Sequence, residues 1–161
     1  MTYFIKTATC AVALTLGSGA FAVTPIKSVD VDVDLEAIQN AEAATFWTDI
    51  AEDIETEIAT RIVSQIEEDG AALSIDIDEL SLANTFQTTF GSAENYLVGD
   101  VLISNPLKTT DHQFYTLKVS FEQARAYLPE NVDFNELTSD SPYYYDSMVD
   151  AFADNVVSKL K

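Results

Sequence analysis

Apolar and acidic residues alternate strictly from Val29 to Leu35. Val29, Val31, Val33 and Leu35 take one side, and Asp30, Asp32 and Asp34 the other. A period of two sends successive side chains to opposite faces, so Ser28–Leu35 predicts a strand with one greasy and one acidic face. The rhythm then changes. Phe46, Ile50, Ile54, Ile58, Ile62 and Ile66 recur every fourth residue, and no Gly or Pro interrupts 36–68. Asp34 is suited to cap a helix there, with Glu36 near its positive end. At 3.6 residues per turn, a spacing of four drifts about 40° per step. The stripe therefore winds around the helix, as suits packing across a twisted sheet. Trp47 widens it, and Gly70 supplies a C-terminal stop. One unbroken helix would be roughly 50 Å long. That exceeds the width of so small a domain, so either a break near Asn40–Thr45 or a projection toward a partner is expected.

Three further strands follow. In 72–83, Leu73, Ile75 and Ile77 share a face opposite Asp76 and Asp78, and then the phase slips to Leu80 and Leu82. One extra residue near Asp78-Glu79, a β-bulge, would produce that slip. Residues 96–103 are almost continuously apolar and suit a central strand. In 113–121, Tyr115, Leu117, Val119 and Phe121 alternate with Thr116, Lys118 and Ser120. Loops at 84–95 and 104–112 would join these strands as antiparallel hairpins. A polar connector, 122–140, has room for a helical turn at 122–128, closed by Pro129. Ser141-Pro142 then opens a last helix. Its stripe is Tyr145, Met148, Val149, Phe152, Val156 and Leu160.

The order β-α-β-β-β-α predicts an α+β fold. It is a two-layer domain with a mainly antiparallel sheet of about four strands. A long N-terminal helix and a C-terminal helix cover one face, and the other face is wet. Fully burying each large apolar side chain contributes about 1.5–3 kcal/mol before entropy is counted, enough here for a core without disulfides.

Charge changes the picture. The chain has 161 residues, 27 acids against 8 bases and a net charge of −19. Its 47% apolar content is that of a globular protein rather than a disordered one. Eight scattered cations cannot build the basic stripe that nucleic acid or an anionic membrane surface demands. So acidic a surface stays soluble and attracts cations or basic partners.

Residues 1–22 read as a cleaved secretory signal. Lys6 begins it, Thr7–Leu16 is its apolar middle, and Ala20-Phe21-Ala22 is the cleavage site. The apolar run is well short of the ~20 residues that span a bilayer. Cleavage places the remaining acidic domain, 23–161, in the periplasm or outside the cell. It also removes Cys10, the sole cysteine, and with it any thiol chemistry.

Candidate chemistry is sparse. Asp30, Asp32, Asp76 and Asp78 all point to the wet sheet face, together with Asp34. Carboxylates on adjacent strands would repel. Separation of the strands, intervening Lys27 and Lys118, or a bridging divalent cation such as Ca²⁺ or Mg²⁺ would relieve this. The D-x-D-x-D run of 30–34 is no EF-hand, because Leu35 stands where the loop needs Gly and Ala41 where it needs Glu. His112 follows Asp111 in a loop, but no G-x-S-x-G turn accompanies the pair. Isolated Gly91 and Gly99 form no phosphate loop. For contact with a protein partner, the candidates are Tyr143 and Tyr144 at the start of the last helix, and Phe86 and Phe90 after the bulged strand. Each of these could equally pack inward.

A long helix, three antiparallel strands and a terminal helix in an exported chain resemble the auxiliary lipoproteins of ABC-type transport systems. Those proteins feed lipid- or solvent-transport assemblies. The resemblance covers about 70–161 and rests on Leu73–Leu82, Val98–Ile103, Tyr115–Phe121 and Tyr145–Leu160. It implies an accessory role in the cell envelope and assigns no functional residue. The chain departs from the group in having no lipobox, which counts against a membrane-tethered role. The expected function is thus a non-enzymatic periplasmic protein that binds another envelope component, and self-association is compatible with it. Ca²⁺ binding by the acidic face is the first alternative. An acid-pair hydrolase, which needs an apolar-walled cleft around two carboxylates, is the second.

Overall fold

The computed structural model describes residues 23–87, 95–107, 112–133 and 137–160. The expected secretory signal, residues 1–22, and Phe90 and Asp111 lie outside the described residues. Four strands form one mixed sheet in the order β1 (Ile26–Asp32), β2 (Ala71–Ile77), β3 (Tyr96–Ser104) and β4 (Gln113–Ser120). β1 runs parallel to β2, as a helical crossover requires. The pairs β2–β3 and β3–β4 are antiparallel. Two helices, α2 (Ile50–Arg61) and α5 (Pro142–Ser158), pack on each other and cover one face, α2 over β1 and α5 over β4. This is an α+β fold with a helical layer on one side of the sheet.

The alternation sorts the sheet as the sequence implies. Leu73, Ile75, Ile77, Leu97, Val101, Ile103, Leu117 and Val119 are buried beneath the helices. Ile50, Ile54, Ile58 and Ile62 are fully buried against them, as are Met148, Phe152 and Val156 of α5. Gly99 lets α5 come close: a Cβ there would lie 2.9 Å from the Phe152 ring.

The long helix over 36–68 is broken into pieces. Asp34 caps a 3₁₀ turn at Leu35–Ala37, its carboxylate accepting the Glu36 N–H at 3.1 Å. Asn40 then starts a second helix, α1 (Ala41–Phe46), by accepting from Glu42 and Ala43. A turn at 47–49 carries Trp47 into the core before α2 begins. The stripe ends at Ile62. Ile66 is 48% exposed and bridges to Ile26 instead.

The bulge expected at Asp78-Glu79 is a change of element. Strand β2 stops at Ile77, and α3 (Glu79–Gln87) begins. The Asp78 carboxylate accepts the Ser81 N–H at 2.6 Å, a helix-starting contact. Leu82 turns inward and Leu80 is 68% exposed. The described part of the expected 84–95 loop is therefore partly helix. β3 outruns β2 by three residues, and α3 serves the surplus. Ser81 Oγ accepts the Val98 N–H at 3.2 Å, and Thr85 Oγ1 donates to the Tyr96 carbonyl at 2.7 Å. The sheet's true irregularity lies in β1, where register shifts between Ile26 and Ser28 and leaves Lys27 as the extra residue. The short turn after β4 is α4 (Phe121–Ala124), opened by a capping box between Ser120 and Gln123.

Candidate functional site

The face of the sheet opposite the helices is bare. Even-numbered residues of all four strands line it in register. One row reads Asp30, Ser74, Leu102, Phe114, and the next Asp32, Asp76, Asp100, Thr116. Leu102 and Phe114 are direct cross-strand partners and are 39% and 67% exposed. An apolar pair thus adjoins an acidic row on one flat surface. At the far end, Lys118 lies opposite Val98 and folds back over the Tyr96 ring, 3.5 Å from its centre.

The acidic row is the arrangement that strand chemistry disfavours. Asp32, Asp76 and Asp100 sit side by side on three neighbouring strands. Directly opposed Cβ atoms are about 4.5–5.5 Å apart, so the carboxylates feel each other. Partial burial, then the charges of Glu79, Asp100, Asp32 and Asp78, raise the Asp76 carboxyl above its ordinary value. Relief comes from Thr116, whose hydroxyl donates to Asp100 at 2.6 Å. The two lysines expected to intervene do not. Lys118 is held over Tyr96, and Lys27 sits in the bulge beside a groove lined by Ile66, Glu67, Glu68 and Asp69.

The four aspartates singled out from the sequence thus divide. Asp30, Asp32 and Asp76 share the open face, whereas Asp78 caps α3. Among the described residues, no three His, Cys, Asp or Glu side chains converge where a metal ion could sit. Asp100 is the member of the row that hydropathy alone missed. Its place in an apolar run hid it, although the even spacing from Val98 to Leu102 was a usable signal.

The aromatic candidates divide as well. Tyr144 is fully buried, its ring 4.7 Å from Phe121, so it cannot meet a partner at the surface. Phe86 is half-buried and packs on Phe46 at 5.5 Å. Phe46 also meets Trp47 at 4.8 Å and Tyr145 at 5.6 Å, so Phe86 belongs to an aromatic cluster at the edge of the core. Tyr143 is 47% exposed and lines a shallow groove with Val132, Leu137 and Ser141.

A second acidic region lies between α2 and α5. Asp53, Thr56, Glu57, Tyr145, Asp146, Val149 and Asp150 line a groove of about 300 Å³. Tyr145 donates to Asp53 at 2.5 Å, and Arg61 pairs with Glu57 and with Asp150. Burial, then Asp150 and Asp53, raise the Asp146 carboxyl. Val149 is the one aliphatic side chain of that lining, so this is not the apolar-walled cleft an acid-pair hydrolase needs. His112 is exposed, its Nε2 3.4 Å from the Asn105 carbonyl. No described helix is long and apolar enough to cross a membrane. Comparison with protein-family models, curated proteins and solved structures finds no match to this chain.

Proposed function

We propose that this is an exported binding protein of the cell envelope, non-enzymatic, whose open sheet face receives a basic protein partner. The observation that carries the reading is the bare face itself. Two-layer α+β domains normally leave such a face hydrophilic. Here the exposed Leu102–Phe114 pair abuts the Asp32–Asp76–Asp100 row. Apolar anchors beside uniform charge make a surface that favours one sign of partner. The signal-like pattern of residues 1–22 supports export, and the resemblance to transport-system lipoproteins supports an accessory role.

A photo-crosslinking residue at position 114 tests this in cells. It should trap a discrete adduct with a protein other than a second copy of this chain, which the same residue at Val63 does not trap, since Val63 is 71% exposed and lies outside the sheet. Equal labelling from both positions, or none from 114, would refute the reading. The second reading is divalent-cation binding, which rests on pairs of opposed carboxylates in the row rather than on a converging ligand set. Calorimetry with Ca²⁺ should then give saturable heat that Asp76→Asn removes, whereas a shallow, non-saturating response counts against it.

A further inference from the structure

Both edges of the sheet end in open hydrogen-bonding groups, and they are guarded differently. β1 carries Asp30 and Asp32, and the segment 66–67 covers part of it through Ile66 and the Glu67 N–H bond to the Ile26 carbonyl. β4 carries no acid. From Val101 to Phe121 there is one acidic residue, Asp111, against Lys108 and Lys118. In a chain of net charge −19, few stretches beyond Asp30 lack an acidic excess, and this one spans a whole edge strand. The same stretch holds three exposed apolar side chains, Leu102, Leu107 and Phe114, the last two 71% and 67% exposed. Among the described residues, the backbone of 113–119 bonds to β3 alone.

An edge strand is usually protected by a charged side chain, lysine above all. β4 has such a residue, Lys118, but its ammonium is drawn inward over Tyr96 of β3. The guard is therefore turned toward the sheet rather than past the edge. What can dock here follows from charge. The charge of a basic partner is met by the carboxylate row of the open face, not by the backbone of an acid-free edge. Two copies of this chain repel wherever their acids meet, and β4 is the edge along which strand pairing sets no acid directly opposite an acid.

We infer that the occupant of the β4 edge is a second copy of this chain, paired antiparallel about a two-fold axis. Residues opposite one another share a face in such a pair. The two open faces therefore lie on the same side of one eight-stranded sheet. In a register centred on Thr116, each Phe114 ring lies opposite the partner's Lys118. The dimer shares Phe114 with the basic partner proposed above but buries the strand edge rather than the acidic row, and salt separates the two. Screening weakens attraction to a basic partner and strengthens association between like-charged copies.

Sedimentation of the purified chain at 0.05 M and 1 M NaCl is the test. The dimer dissociation constant should fall about tenfold as salt rises, the direction that screened self-repulsion requires. Phe114→Glu should abolish the dimer with an unchanged circular dichroism spectrum, while Val63→Glu leaves it intact. Hydrogen exchange should slow in 113–120 as protein concentration rises. A monomer at every salt concentration overturns the inference. So does a dimer that weakens with salt, survives Phe114→Glu, or protects another segment instead of 113–120.

Discussion

Asp76 shows what a single residue's position costs. Its neighbours on both sides are carboxylates, and burial together with their charge raises its own. An acid whose folded pKa exceeds its unfolded value binds its proton more tightly in the folded state. Stability from this group therefore rises as pH falls through the raised value toward the ordinary 3.8, and levels off below that. Above the raised value the cost is fully present. Asp76→Asn should thus raise Tm at pH 7 by roughly 2 °C, the scale of a screened surface effect. Below pH 3.5 it should change little. Melting curves at the two pH values decide this. A lower Tm at pH 7 than the wild type, with the difference abolished when divalent cations are chelated, would show that an ion bridges the row.

At the scale of elements, the hidden one is α3. Leu73, Ile75, Ile77, Leu80 and Leu82 fit a bulged strand as well as a strand followed by a helix, because a slip of one position is common to both. What decides is polar chemistry at longer range. Asp78 caps the helix, and Ser81 and Thr85 bond to β3 backbone that β2 is too short to reach. Ser81 is buried, so Ser81→Ala strands the Val98 N–H without an acceptor. Urea unfolding should show a loss of about 1–2 kcal/mol. A loss near zero would mean that water reaches the strand end there. The other elements were legible because their periodicity has one solution. β3, β4 and α5 lie close to where hydropathy places them, and the isoleucines from 50 to 62 are all buried. The breaks in the long helix were half legible. Asn40 is a strong cap, whereas the turn at Trp47 is set by an aromatic cluster that α1, α3 and α5 assemble together. The same cluster region explains Tyr144. Three consecutive tyrosines cannot share one face of a helix, and which of them turns inward depends on Phe121, a residue the sequence places 23 positions away.

For the whole molecule, charge and architecture pull in different directions. The core is continuous from β1 to the end of α5, and among the described residues no charged side chain is buried in it. Arg61, with Glu57 and Asp150, sits at the surface of the α2–α5 groove. The net charge of −19 therefore acts mainly as self-repulsion, which salt screens. Raising NaCl from 0.05 to 0.5 M should increase Tm by about 5 °C. Dimerisation through β4 would add to that gain, because partner binding stabilises by mass action. Protein concentration separates the two effects. In Phe114→Glu the salt-dependent rise should persist and be independent of concentration. In the wild type it should grow with concentration at high salt. If salt leaves Tm unchanged in both proteins, the acids are already compensated in the fold, and the open face is less negative than its residues imply.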